Sequence, residues 1–246
     1  MCLEWLTPEW PAPPGVRALS TWRGGGVSVA PFESLNLGGH VGDRPEAVAE
    51  NRRRLCAAAR LPGEPVWLSQ QHGTGVLDLD VCSEAGRIAD ASFTRRAGEV
   101  CAILTADCAP VVLALNSGGA VAAAHAGWRG LAAGVIEATV LALAVPPRSL
   151  LAWIGPGIGR AHFEIGPEVR EALLSGDPEA GGAFEPSSSG RYLADLALLA
   201  RRRLERLGIE RVYGGTACTY ASPERYFSHR RDGRTGRQAT LIWLEK

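Results

Sequence analysis

Two apolar runs, 111–115 and 120–125, flank Asn116-Ser117-Gly118-Gly119, and this pattern constrains the chain more than any other stretch. Short apolar runs joined by a glycine-containing loop of this length read as a β-hairpin. Pairing Leu115 with Ala120 sets the register of the ladder and places His125 opposite Pro110. Cys108 is then a diagonal neighbour of His125, and side chains at 108, 110 and 125 share one face by parity. Diagonal neighbours lie about 7–8 Å apart. A metal ion with bonds of about 2.3 Å to sulfur and about 2.0 Å to nitrogen spans that gap. The register alone brings a thiol and an imidazole together at one end of a hairpin.

Each residue by itself has a plainer reading. Free cysteine is among the most buried residue types, and a lone strand histidine is more often a hydrogen-bonded core residue than a ligand. Two features favour chemistry here: Asp107 beside Cys108, and Gly127-Trp128-Arg129-Gly130 after His125, which reads as a strand end open to a ligand. His72, in Gln70-Gln71-His72-Gly73, is another strand-end histidine ahead of glycines. His40 closes a similar glycine-rich turn, Asn36-Leu37-Gly38-Gly39-His40, which makes Asn36 and His40 candidates for binding substrate.

Two histidines and one cysteine make a three-ligand set with a fourth zinc position open, as catalytic sites require. Neutral imidazoles with one thiolate leave such an ion with a single net positive charge, enough to polarise a bound water. A metal-free alternative uses Cys108 as nucleophile, His125 as base and Asp107 to orient the histidine, as in a cysteine amidase or deamidase. His72 favours the metal, because a third ligand is superfluous to a dyad.

Composition narrows the classes further. The 246 residues carry 26 basic and 26 acidic side chains, so no global cationic field steers nucleic acid or an anionic membrane to the chain. Five histidines, at 40, 72, 125, 162 and 229, with the initiator as the one methionine, cannot supply a blue-copper centre plus a trinuclear cluster. A single His₂Cys copper site is chemically feasible but less favoured than zinc. The cysteines are Cys2, Cys56, Cys82, Cys101, Cys108 and Cys218, and with no signal peptide ahead of them disulfides are not expected. No apolar stretch reaches the roughly 18–20 residues of a membrane span. The expectation is a reduced, cytoplasmic, monomeric protein with no nucleic-acid or membrane partner.

Helix patterns fall at 44–59, with Pro45 in the first turn, at 128–144, at 167–174 and at 193–207, which stops at Gly208. Strands are expected at 66–70, 75–80, 100–105, 111–115, 120–125, 150–154, 209–213 and 238–244. The segment 175–191, rich in Gly, Pro and Ser, reads as a surface loop. Strands and helices alternate without a strict βαβ rhythm. The pattern predicts a single α/β domain over 1–246, a layered sandwich with a mixed β-sheet, and argues against a TIM barrel.

Several short motifs together carry a resemblance. They are Ser34-Leu-Asn-Leu-Gly38 with Val41-Gly-Asp43, Glu50-Asn-Arg52, Gln70-Gln-His-Gly73, Thr105-Ala-Asp-Cys108, His125-Ala-Gly-Trp-Arg-Gly130, Ile154-Gly-Pro156, Phe163-Glu-Ile-Gly166 and Tyr226-Phe-Ser-His-Arg-Arg-Asp-Gly233. With these motifs the chain resembles the YfiH family of laccase-domain proteins from about Arg17 to Lys246. The resemblance implies zinc ligands at His72, Cys108 and His125, the three residues the local reading favours. It also implies a layered α/β sandwich, and it departs from the family where Arg160-Ala-His162 stands in place of a frequent cysteine.

Family members have been labelled polyphenol oxidases, and the resemblance further implies phosphorolysis of purine nucleosides, methylthioadenosine included, with adenosine deamination. Purine nucleosides and phosphate are then the expected partners. Arginine takes phosphate bidentately, and Arg52, Arg129, Arg230 and Arg231 are the candidates. Deamination needs a proton carrier, for which Asp107, Glu164 and His40 are available. The His-x-Glu and Pro-Cys-x-x-Cys signature of cytidine-type deaminases is absent.

Overall fold

The strand Val100–Thr105 sends Val100, Ala102 and Leu104 to one face and Cys101 and Ile103 to the other, and all of these are buried. A strand buried on both faces needs a packed layer on each side, and the fold supplies both. In the computed structural model, residues 3–81 and 87–245 are described. Cys2 and Cys82 lie outside the described residues, as does Lys246, and the four cysteines within them are free thiols.

Two large mixed sheets stack face to face. One runs Trp5–Leu6, Val16–Thr21, Gln238–Leu244, Val100–Thr105, Val66–Trp67. The other runs Arg211–Gly214, Leu150–Ile154, Ala109–Leu115, Val121–Ala126, Ala91–Thr94, Val76–Asp78. Between them lies a core of Cys101, Ile103 and Ile242 from the first sheet against Val112, Val121 and Leu151 from the second. The helix Pro45–Ala59 covers the outer face of the first sheet through Leu55. Val135–Leu143 and Leu196–Arg206 cover the outer face of the second through Ile136, Val140 and Leu199. The result is a four-layer α/β/β/α sandwich in a single domain.

The hairpin has the expected register: Leu115 N–H donates to Ala120 O at 3.0 Å, and Pro110 faces His125. Expected strands match end for end at Val100–Thr105, Leu150–Ile154 and Gln238–Leu244. Three expectations need correction. The helix expected over 128–144 is two helices, Trp128–Ala133 and Val135–Leu143, because Gly134 sits at φ 95°, outside helical geometry. The helix expected from 193 begins at Leu196, since Tyr192–Ala194 is a strand and Asp195 caps the helix by accepting Leu198 N–H at 2.8 Å. The 175–191 segment is not simply a loop, for it contributes Phe184–Pro186 to a small antiparallel sheet with Tyr192–Ala194 and Glu164–Ile165. The layered sandwich with mixed sheet is as expected, with the small antiparallel sheet added to the two large ones. Val16–Thr21 and Ala91–Thr94 were not foreseen as strands, because buried Ser20, Thr21, Ser92 and Thr94 break the apolar pattern.

Candidate metal centre and its cavity

Three strand ends converge on one point. The chain leaves Val66–Trp67 toward His72, enters Ala109–Leu115 just after Cys108, and carries His125 near the end of Val121–Ala126. Gln70 ties the first segment down by donating to Leu104 O and accepting Leu104 N–H, each at 2.8 Å. The ligand atoms of His72, Cys108 and His125 all lie within 4.8 Å of one another. Cys108 Sγ is 3.8 Å from His72 Nε2, close to the edge of about 3.6 Å that tetrahedral zinc would set between sulfur and nitrogen ligands. The imidazole centroids are 4.7 Å apart. His125 is buried, Cys108 half-buried and His72 exposed, so the cluster opens to solvent on one side. Gly127 is required here: a Cβ at that position would lie 2.7 Å from Cys108 Sγ and 3.1 Å from His72 Cδ2.

One buried carboxylate organises both histidines. Asp90 Oδ1 lies 2.9 Å from His125 Nδ1, which leaves Nε2 to face the cluster. The same carboxylate accepts the backbone N–H groups of Gln71, His72 and Gly73 at 3.1, 2.8 and 2.7 Å. Those successive donors form an anion-holding nest and keep His72 at φ 60°. Asp90 escaped the sequence reading, although an aspartate inside the apolar run Ile88-Ala-Asp-Ala-Ser-Phe93 is itself a sign of a buried charge with a purpose.

Electrostatics favour a thiolate. Burial pushes the Cys108 thiol up, but the charge of His125 and hydrogen bonds from both histidines override it and lower it to about 6. Burial opposes charge on His125, yet Cys108 and Asp90 raise it to about 9. A soft anionic sulfur, two imidazoles and a carboxylate behind one of them make a zinc-type donor set, with Asp90 as the outer partner that fixes the imidazole.

The cluster lines a cavity of about 390 Å³, within the range of small-molecule sites. Of the residues singled out in the sequence, His40, Arg129, Arg230 and Asp107 line it. His229 and Arg237 line it too, and neither was singled out as a ligand-facing residue. Asp107 does not orient a histidine. Its carboxylate accepts Thr219 Oγ1–H at 2.6 Å and Arg230 N–H at 2.7 Å, and Asp90 holds the place expected of it. Arg129 is exposed, with its guanidinium 4.4 Å over the Trp128 ring.

Four candidates are placed elsewhere. Arg52 donates twice to Leu37 O, at 2.8 and 3.1 Å, and stacks on Trp67. Buried Asn36 accepts Gly38 N–H and Arg237 N–H and donates to Asp43, so it shapes the turn without facing the cavity. Arg231 is spent on the carbonyls of Thr219, Tyr220 and Tyr226. Glu164 pairs with Arg191 and Ser187 outside the cavity.

An α/β/β/α sandwich with an open His-Cys-His site defines the class of protein. The chain belongs to the multi-copper polyphenol oxidoreductase laccase family, whose model matches residues 17–245. It is 53% identical over 239 residues to "Purine nucleoside phosphorylase YfiH" of Escherichia coli (strain K12), covering 97% of this chain and 98% of that one. It is 54% identical over 242 residues to "Purine nucleoside phosphorylase PA4543" of Pseudomonas aeruginosa, covering 98% of both. The crystal structure of Neisseria meningitidis protein NMB0706 superposes with a TM-score of 0.94 at 48% identity, covering 98% of this chain and 99% of that one. Among the described residues the His72, Cys108, His125 group is the one cluster of metal-type ligands. A multicopper centre needs several such clusters, so the donor inventory does not match that part of the family's description. No helix among the described residues is long and apolar enough to cross a membrane.

Proposed function

We propose that the chain is a zinc-dependent purine nucleoside phosphorylase acting on adenosine, inosine, guanosine and methylthioadenosine, with accompanying adenosine deamination in the same cavity. The observation that carries the reading is the open His72, Cys108, His125 cluster in a cavity with both cationic and apolar walls. Its relatives in Escherichia coli and Pseudomonas aeruginosa, both named purine nucleoside phosphorylases, support the same activity. Zinc held by His72, Cys108 and His125 would supply Lewis acidity to the cavity.

The remaining work falls to the chain. Trp128, Ile158 and Phe163 give the cavity apolar and aromatic surface against which a purine packs. Phosphorolysis forms a bond from a phosphate oxygen to C1′ and breaks the C1′–N9 bond, whose electron pair leaves with the purine. The purine then needs a proton or a hydrogen bond. His229 donates its Nδ1–H to Gly233 O at 2.7 Å, so its Nε2 carries a proton for the purine only in the imidazolium form and accepts one in the neutral form. Burial and the nearby charges of Arg237 and Arg52 hold His40 below the ordinary histidine range, so it is a neutral imidazole near pH 7. Proton transfer in deamination falls to His40 and His229, since Asp107 is fully engaged and Glu164 lies outside the cavity. A cytoplasmic, monomeric enzyme in contact with neither nucleic acid nor membrane completes the proposal.

Incubating adenosine, inosine and methylthioadenosine with and without phosphate tests the reading. Phosphate-dependent release of free base is expected, with inosine formed from adenosine even without phosphate. No turnover of any nucleoside would overturn it. One observation favours a second reading: Asp90, His125 and Cys108 also line up as the orienter, base and nucleophile of a cysteine amidase. Elemental analysis separates the two. About one zinc per chain supports the phosphorylase, whereas active metal-free protein that alkylation of Cys108 inactivates supports the amidase.

A further inference from the structure

The cavity is unbalanced in charge. Arg129, Arg230 and Arg237 line it with two outer histidines, and the one carboxylate among the described lining residues is Asp107. Both Asp107 oxygens are already occupied, by the Thr219 hydroxyl and the Arg230 backbone N–H. A pocket with surplus positive charge selects an anion.

The three arginines differ in what they can still offer. Arg129 is exposed and stacked on Trp128. Arg230 donates its guanidinium to Glu164 O at 2.9 Å and lies 5.3 Å over the Phe163 ring. Arg237 is half-buried and pairs with no carboxylate among the described residues. Its hydrogen bonds to protein run from Nη1 alone, to Thr235 O at 3.0 Å and Gly236 O at 2.9 Å. Desolvation by burial disfavours its charge, with Cys108 and Asp107 as the acidic groups that face it. A half-buried guanidinium with no carboxylate partner and its Nε and Nη2 donors unused by the described residues is suited to an anionic ligand.

The fold also takes trouble to aim it. Arg237 N–H is held by Asn36 Oδ1 at 2.9 Å, and Leu37 N–H donates to Arg237 O at 3.1 Å. Its stem fills the space beside Gly38, where a Cβ would lie 2.8 Å from Arg237 Cγ. The Asn36–Gly38 turn therefore clamps Arg237 and leads into His40, which lines the same cavity.

We propose that Arg237, assisted by His40, is the oxyanion subsite of the cavity and takes inorganic phosphate, an inference that rests on the phosphorylase reading above. Asn36 is its positioning residue. The planar guanidinium holds two phosphate oxygens and leaves a third to attack C1′.

Two measurements test the subsite: binding of inorganic phosphate to zinc-loaded protein by ³¹P NMR line broadening, and the phosphate KM of inosine cleavage. For Arg237→Gln, checked for unchanged zinc content and melting temperature, both are expected to weaken by about 10–100-fold, the loss typical of a charge-assisted hydrogen-bonded pair. The inosine KM should move less than about threefold, since that substrate packs on other walls. Arg237→Lys keeps the charge without the fork and should fall between, and it serves if the Gln variant fails to fold. Wild-type phosphate affinity and phosphate KM in either folded variant would overturn the subsite while leaving phosphorolysis intact. A wild-type enzyme that neither binds phosphate nor releases base in its presence would overturn the function itself.

Discussion

Asp90 and Gly127 show how little freedom the metal ligands have. Asp90, 2% exposed, holds His125 from behind and the backbone of His72 from beneath, so one carboxylate sets the aim of two imidazoles. Asp90→Asn keeps the size but loses the charge. Zinc affinity is expected to fall about 10–100-fold, the usual cost of losing such an outer partner, and competition with a chromophoric chelator measures it. Unchanged affinity would remove Asp90 from the site. Gly127 has φ −70°, which alanine adopts without strain, so Gly127→Ala acts only through its methyl group against Cys108 and His72. At least a tenfold loss of zinc affinity with a near-native melting temperature is expected, and full retention would show that the cluster is looser than its distances imply. At this scale the hairpin parity of Cys108 and His125 was legible in the sequence. Asp90 was not, because it lies 35 residues from His125 and no periodicity links an isolated aspartate to a histidine on a neighbouring strand.

At the scale of elements, strands buried on both faces were the most legible, since unbroken apolar runs such as Leu150–Ile154 have one reading in an α/β protein. The long helix was misjudged because Gly134 looks tolerable in an alanine-rich pattern, yet its φ of 95° serves as the end of one helix and the start of the next. The ends of Pro167–Gly176 and Leu196–Arg206 are joined by a tertiary contact no local pattern reveals. Buried Asp177 accepts from Arg202 Nε at 2.8 Å and Nη2 at 3.1 Å, with Arg206 Nη1 at 3.0 Å. The Arg202 hydrogen bonds, against the cost of burial, hold its carboxyl below the ordinary range. A folded-state pKa below the unfolded value of about 3.9 means stabilisation that is complete above that pH and lost as pH falls through the lower value. Asp177→Asn should cost about 1–3 kcal/mol at pH 7 by urea unfolding. The gap to wild type should close as pH drops below about 4. A gap independent of pH would show that packing, and not charge, joins the helices.

For the whole molecule, equal counts of 26 basic and 26 acidic residues proved compatible with a strongly cationic interior cavity, because the balancing carboxylates sit elsewhere on the surface. Layering was readable from the pattern of apolar runs, and the sparse histidine inventory from composition alone. Which arginines face the cavity was not, since Arg52 and Arg237 look alike in sequence and differ only in what the tertiary fold gives them to bind. The central claim is that one zinc on His72, Cys108 and His125 supports phosphate-dependent cleavage of a purine nucleoside. Titrating metal-free protein with zinc while following phosphate-dependent hypoxanthine release from inosine tests it most directly. Activity should rise linearly and break at about one zinc per chain, with none in Cys108→Ala. Full activity in metal-free protein, or a Cys108→Ala variant that still responds to zinc, would contradict it.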